Sequence, residues 1–263
     1  MVTLDEKPAG ADDLLPLALT NFAHFTSMRV DADGSIRGLS LHLERLVRDC
    51  AAVYGATLDV GRVRERVRAA VQGRPGPCVV RVTIYDPAVD MGHPADAGDP
   101  RPLVTVRPAG QLSPPPLHVR SMQYERDLPQ VKHCGLFGAL HARRAAQLAG
   151  ADDALFIGRD GLVSEGGTWN VGFIDGDGTV VWPDAPVLPG VTMALLKQHT
   201  RGVSHRTTAV TLDQAKGMAA AFATNTSIGV RALSAIDNES LSTDHPVLSV
   251  LRDAYLSVPG EEL

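Results

Sequence analysis

Ala154-Leu155-Phe156-Ile157-Gly158-Arg159-Asp160-Gly161-Leu162-Val163-Ser164 holds two short apolar runs around a turn built on Arg159-Asp160-Gly161. Shortly after, Asn170-Val171-Gly172-Phe173-Ile174 and Thr179-Val180-Val181-Trp182 repeat the arrangement around Asp175-Gly176-Asp177-Gly178. Short runs rich in β-branched and aromatic residues, bounded by Asp-Gly turns, read as hairpins. Two hairpins in succession break the strand–helix alternation of a doubly wound sheet and point to an α+β fold. Outward from this stretch, Leu136 to Leu148 reads as a helix stopped by Gly150. A second helix starts near Val191, strands follow around 205–210, 220–225 and 228–235, and Val247 to Leu256 reads as a closing helix. Upstream, Phe25 to Val30 is a strand and Asp31-Ala32-Asp33-Gly34 is hairpin chemistry. Ser40 is the expected N-cap of a helix over 41–55, with Leu43, Leu46, Val47, Cys50 and Tyr54 at helical spacing. An Arg-rich helix over 60–72 and strands at Cys78–Tyr85 and Leu103–Arg107 complete this half. Asp86 to Pro102 is a long loop. Arg107-Pro108-Ala109-Gly110-Gln111-Leu112-Ser113-Pro114-Pro115-Pro116 cannot continue a helix or a central strand. The expected division is therefore 1–107, a linker over 108–120, and 121–263.

The 263 residues are 44% apolar, enough for a real core and too many for a disordered chain. With 25 basic against 30 acidic residues, the net charge of −5 gives no electrostatic reason to bind nucleic acid. No apolar run approaches the roughly 18 residues of a membrane span. Met1-Val2-Thr3-Leu4-Asp5-Glu6 is polar and acidic, with no signal peptide after it. Three dispersed cysteines (Cys50, Cys78, Cys134) exclude a disulfide scaffold and a Cys-based zinc site, and fit a reducing cytoplasm. Arginine dominates the basic residues: the only lysines are Lys7, Lys132, Lys197 and Lys216. Chemistry that needs an amine has few candidates.

There is no P-loop, no dinucleotide glycine fingerprint, no Gly-x-Ser-x-Gly elbow and no metal-ligand spacing. Three places suit an anion. Leu188-Pro189-Gly190-Val191-Thr192 opens a helix, whose free N–H groups and dipole favour negative charge. Thr224-Asn225-Thr226-Ser227 offers hydroxyls after an apolar run, and Arg45 sits in His42-Leu43-Glu44-Arg45. Taken singly, each also reads as an ordinary junction, strand end or solvated face. Lys132 lies in the mostly apolar Leu128-Pro129-Gln130-Val131-Lys132-His133-Cys134-Gly135, where partial burial would lower its pKa. Glu165 ends a strand beside Gly166 and Gly167, residues that permit close approach of a ligand.

In order along the chain, these segments resemble the class IV (fold-type IV) pyridoxal phosphate-dependent aminotransferases. That group contains branched-chain aminotransferase, D-amino acid transaminase and aminodeoxychorismate lyase. The matching blocks are Phe25-Thr26-Ser27-Met28-Arg29-Val30, His42-Leu43-Glu44-Arg45-Leu46, Val131-Lys132-His133, Ala151-Asp152-Asp153-Ala154-Leu155-Phe156, Gly161-Leu162-Val163-Ser164-Glu165-Gly166, Thr168-Trp169-Asn170, Leu188-Pro189-Gly190-Val191-Thr192 and Thr224-Asn225-Thr226-Ser227. Together they span about residues 22–235. Phe25-Thr26-Ser27 is more similar to the lyase branch than to the branched-chain enzymes.

The resemblance implies a two-domain fold, with a small α/β domain and a larger pseudo-barrel domain. It implies pyridoxal 5'-phosphate as cofactor, and Lys132 as the lysine that holds the cofactor aldehyde and later moves a proton at the substrate α-carbon. Glu165 would face the pyridine nitrogen and Arg45 the phosphate. The N–H groups of Val191 and Thr192, with Thr226, would complete the phosphate site. Phe25, His24 and His93 are candidates for contacting substrate. The implied reaction passes an amino group from an amino acid or amine to a 2-oxo acid, in a cytoplasmic homodimer. Pyruvate elimination from aminodeoxychorismate and a non-catalytic cofactor-binding homologue are the alternatives.

Overall fold

The computed structural model describes residues 2–4 and 7–263; Met1, Asp5 and Glu6, part of the polar N-terminus, lie outside the described residues. The chain forms two compact units. The first contains Met1–Gly110 and two later segments, Val131–Gly135 and Pro259–Leu263; the second contains Gln111–Gln130 and Leu136–Val258. No helix among the described residues is long and apolar enough to cross a membrane.

The first unit runs β1 (Val2–Leu4), β2 (Lys7–Pro8), α1 (Ala11–Thr20), β3 (Ala23–Val30), β4 (Ile36–Arg37), α2 (Leu39–Tyr54), α3 (Val60–Val71), β5 (Cys78–Tyr85) and β6 (Arg101–Pro108). Its antiparallel sheet has the order Gly260–Glu261, β4, β3, β5, β6, β1, β2. Alternation along the strands sends Met28, Val30, Val80, Val82, Ile84 and Val104 to one face. Leu39, Leu43, Leu46 and Cys50 of α2 and Val63 and Val67 of α3, at helical spacing, cover that face and complete the core.

One local expectation is corrected by the structure. Ser40 does not cap α2: the N-cap is Gly38, in the left-handed region at φ 69, and it supplies no side-chain bond. Ser40 lies inside the helix, and its N–H and hydroxyl both donate to the Glu261 carboxylate. Helix α1 is not among the elements read from the sequence, and it carries Pro16 in its middle, where proline is unfavourable. It forms nonetheless, with Leu14 and Leu17 packed against Ala23, Tyr85 and Leu103.

The second unit runs β7 (Leu117–Gln123), α4 (Phe137–Leu148), β8 (Asp153–Ile157), β9 (Val163–Gly166), β10 (Asn170–Ile174), β11 (Val180–Pro183), α5 (Val191–His199), β12 (His205–Thr208), α6 (Leu212–Lys216), β13 (Ala220–Asn225), β14 (Gly229–Ile236), β15 (Glu239–Ser240) and α7 (Pro246–Ser257). The two expected hairpins are present as the antiparallel pairs β8–β9 and β10–β11. Strand β7 begins inside the stretch read as linker and pairs in parallel with both β14 and β8. The ring β9-β10-β13-β14-β7-β8 closes on itself through a single β9–β10 pair, Glu165 opposite Asn170. Val119, Leu155, Val163, Val171, Phe173, Ala223 and Leu233 are among the residues of the barrel's apolar core.

Candidate active site

In the first unit, Lys132 is added to the end of β3 by an isolated antiparallel bridge, His24 opposite His133. Phe25 N–H donates to Lys132 O at 2.8 Å and Cys134 N–H to Ala23 O at 2.8 Å. The Lys132 N–H donates to the Asp49 carboxylate at 2.9 Å. Lys132 Nζ stands 5.0 Å from the centroid of the Phe25 ring, and the Arg81 guanidinium lies 3.6 Å from the same ring. Arg81 also donates to the Cys134 thiol at 3.3 Å. Burial holds that thiol above its ordinary pKa, against the pull of Arg81 and Lys132.

Helix α2 presents His42, Arg45 and Asp49 on one face, at i, i+3 and i+7, and all three are buried. His42 Nδ1 and the Thr26 hydroxyl are hydrogen-bonded at 2.7 Å. Burial, followed by the positive charges of Arg45 and Lys132, keeps His42 well below the usual histidine pKa, so the ring is neutral. Arg45, a candidate for the phosphate that taken singly also reads as a solvated helix arginine, is 5% exposed.

His24 and Phe25, both candidates for touching substrate, are neighbours on β3 and therefore point to opposite faces. Phe25 shares its surroundings with Lys132. His24 is fully buried beside Tyr54, with neither ring nitrogen hydrogen-bonded, and burial lowers its pKa to about 4 against a weaker upward pull from Asp49. It shapes the unit from behind the strand. His93 is exposed on the loop before the turn Pro94–Asp96.

In the second unit the β-pairing places three buried polar residues in one row across adjacent strands: Glu165 on β9, Asn170 on β10 and Thr224 on β13. Directly opposed residues share a face of the sheet. Both of the first two also reach Leu188: Leu188 N–H donates to Glu165 Oε2 at 3.3 Å, and Asn170 Nδ2 donates to Leu188 O at 2.8 Å. Glu165 Oε1 accepts from Arg126 at 3.3 Å, an ion pair whose side chains are 11% and 4% exposed. Leu188 leads into the N-terminus of α5. The first bond inside that helix is Ala194 N–H to Gly190 O, so the amides of Val191 and Thr192 precede it. The hydroxyls of Thr192 and Thr224 are buried and have no hydrogen-bond partner in the protein. Thr226 is half-buried in the turn between β13 and β14. Two orphaned hydroxyls near a helix start, with a carboxylate in the same row, form a donor and acceptor set that fits a polar, anionic guest.

The description of amino-transferase class IV matches residues 23–236. The chain belongs to that family. No curated protein matches the sequence. Among solved structures, the chain is similar to a branched-chain aminotransferase from Thermoproteus uzoniensis, with TM-score 0.87, 19% identity, and 97% of this chain and 93% of that one covered. It is similar to a hypothetical aminotransferase from Mycobacterium tuberculosis in its PLP-bound form, with TM-score 0.82, 19% identity and 98% of each chain covered. A fold IV transaminase from Curtobacterium pusillum matches with TM-score 0.81 and 21% identity, over 95% of this chain and 91% of that one. At these identities the likeness establishes the fold, a mixed helix and strand chain with a closed barrel.

Sequence reading passed over several residues of these arrangements, Asp49, Asn170 and Thr224 among them. Asp49 stands in a helix where a buried carboxylate has no sequence signal apart from its i+4 spacing from Arg45. Asn170 and Thr224 lie in segments that the sequence singled out, but only strand register reveals that they stand in the row of Glu165.

Proposed function

We propose that this chain is a pyridoxal phosphate-dependent aminotransferase that passes an amino group from an amino acid or amine to a 2-oxo acid. The observation that carries the reading is the row Glu165–Asn170–Thr224 with the α5 N-terminus, where the buried Thr192 and Thr224 hydroxyls have no partner in the protein and suit a polar guest. Following the family pattern, Glu165 would face the pyridine nitrogen. By the same pattern, Arg45, Thr226 and the amides of Val191 and Thr192 would hold the phosphate, and Lys132 would take the aldehyde. When bound, the cofactor supplies an electron sink for the pair left on the substrate α-carbon.

The protein's own groups do the rest. Arg126 faces Glu165 with a fixed positive charge and holds the carboxylate in place. The Lys132 amine, on a stem anchored at both N–H and C=O, removes the proton at the substrate α-carbon and returns it one position away. Phe25 lies beneath that amine and excludes water from one side of it. A homodimer completes the reading, supported by the exposed apolar residues Phe137, Leu140 and Leu148 along α4, and the three free cysteines suit a cytoplasmic setting.

The test is the visible spectrum of the purified protein before and after borohydride, with peptide mapping of the reduced adduct. A band that borohydride bleaches, with the adduct on Lys132, is expected, and Lys132→Ala should lose both the adduct and turnover. A protein that stays colourless with added pyridoxal phosphate, or a Lys132→Ala variant that still turns over, would sink the proposal. Pyruvate released with no 2-oxo acid acceptor present would assign the lyase reaction instead.

A further inference from the structure

The first unit contains a buried carboxylate that the mechanism above does not use. Asp49 is fully buried on α2, flanked by the core residues Leu46 and Cys50. Taking a carboxylate out of water is costly, and an apolar residue would fill this position at less cost. Asp49 keeps two sets of partners. Its Oδ1 accepts from Arg48 Nε and Nη2 at 3.1 and 2.8 Å. Its Oδ2 accepts from the backbone N–H of Lys132 at 2.9 Å.

The second bond matters because of where Lys132 sits. Val131–Gly135 is not a full strand: it meets β3 only at the isolated bridge His24–His133. There the Lys132 carbonyl is held by Phe25 N–H, and Asp49 holds the amide on the same residue. The backbone from which the reactive side chain springs is therefore fastened to β3 through its acceptor and to α2 through its donor. The carboxylate lies one helical turn from Arg45, so a single helix face carries the residue read as phosphate-binding and the fastening of the lysine.

We propose that Asp49 is a positioning residue for Lys132: by accepting the Lys132 N–H it fixes the base of the amine's stem and so aims Nζ. The proposal rests on the reading of Lys132 as the residue that takes the cofactor aldehyde. A charge-assisted bond from a backbone N–H contributes enough that its loss from a reacting geometry costs about 10- to 100-fold in rate.

The experiment compares wild type, Asp49→Ala and Asp49→Asn as holoenzymes. Borohydride reduction and peptide mapping of the wild type come first, and an adduct on a lysine other than Lys132 overturns the functional reading and this proposal with it. With the adduct on Lys132, Asp49→Ala should lower kcat about 10- to 100-fold with the KM for the amino donor changed by less than about threefold. Asp49→Asn retains a carbonyl that can accept the Lys132 N–H and should recover most of that loss. It also serves if the alanine variant fails to fold. Amide hydrogen exchange provides a readout independent of turnover: protection over residues 131–135 should fall at least about tenfold in Asp49→Ala, with β5 and α3 unchanged. Wild-type kcat in a folded Asp49→Ala protein would overturn the proposal. So would exchange that rises evenly through the first unit, or an asparagine variant as slow as the alanine one.

Discussion

Adding one methyl group at Gly190 tests whether the α5 N-terminus and Glu165 are mechanically joined. Gly190 has φ −68, which any residue adopts, so alanine there meets no backbone strain. The obstacle is steric. A Cβ would fall inside 3.0 Å of Asn170 Oδ1, a separation real Cβ atoms do not tolerate, and 3.1 Å from its Cγ. The Asn170 amide cannot swing aside freely, because it is buried and Nδ2 holds the Leu188 carbonyl at 2.8 Å. Displacing it breaks a buried hydrogen bond, which costs about 1–3 kcal/mol. Overpacking adds about 1–3 kcal/mol. Leu188 also donates to Glu165, so the disturbance should weaken retention of the cofactor as well as stability. Calorimetric unfolding of a double-mutant cycle isolates the clash. Gly190→Ala in the wild-type background should destabilise by about 2–6 kcal/mol. In an Asn170→Ala background, where the methyl has room, the added cost should shrink by at least about 1 kcal/mol. If Gly190→Ala costs the same in both backgrounds, the two residues are not coupled and the reasoning fails.

Two further outcomes are expected. The His24 pKa falls from 6.5 in the unfolded chain to about 4 in the folded one, so the unfolded state binds the extra proton. The stability this group contributes is present above pH 6.5 and is lost as the pH falls towards 4, by about 3 kcal/mol at the lower end. His24→Leu should flatten the acid limb of a plot of Tm against pH between 7 and 4.5; an unchanged limb would contradict the assignment. His42 is depressed too, so some slope should persist. Second, Glu261 takes the place of a missing side-chain cap on α2, and Glu261→Ala should destabilise the first unit by about 1 kcal/mol, with Glu261→Gln milder. Equal Tm values for wild type and the alanine variant would show that Ser40 needs no such acceptor.

The hairpins, the helices over 41–55 and 60–72, and the strand at Cys78–Tyr85 were legible because their periodicity and turn residues are local signals. Barrel closure was not legible from periodicity. It depends on parallel pairing of β7 with β8 and β14, and β7 follows a proline run that reads as linker. Helix α1 shows tertiary packing of Leu14 and Leu17 overriding an interior proline. In the candidate site, Lys132, Arg45 and Glu165 were reachable from residue type and order. His24 and Phe25 could be sorted only by knowing which face of β3 each occupies. Asn170 and Thr224 emerged from register, a property shared between strands that no single segment encodes.

The first unit is assembled from three separated stretches of chain, and this bears on how a ribosome can deliver it. When residue 110 emerges, β3 still has Ala23 O and Phe25 N–H open at one end, and β4 has an open edge at the other. The first gap closes only when Val131–Gly135 has been made. The second closes when Gly260–Glu261 arrives, after every strand of the barrel. Folding therefore cannot finish in the order of synthesis, and a nascent chain of intermediate length exposes unpaired strand backbone that invites pairing with a neighbour. Lys132 reaches its place against β3 only about a hundred residues after that strand is made, so the anchor of the amine is set no earlier than about half-way through synthesis.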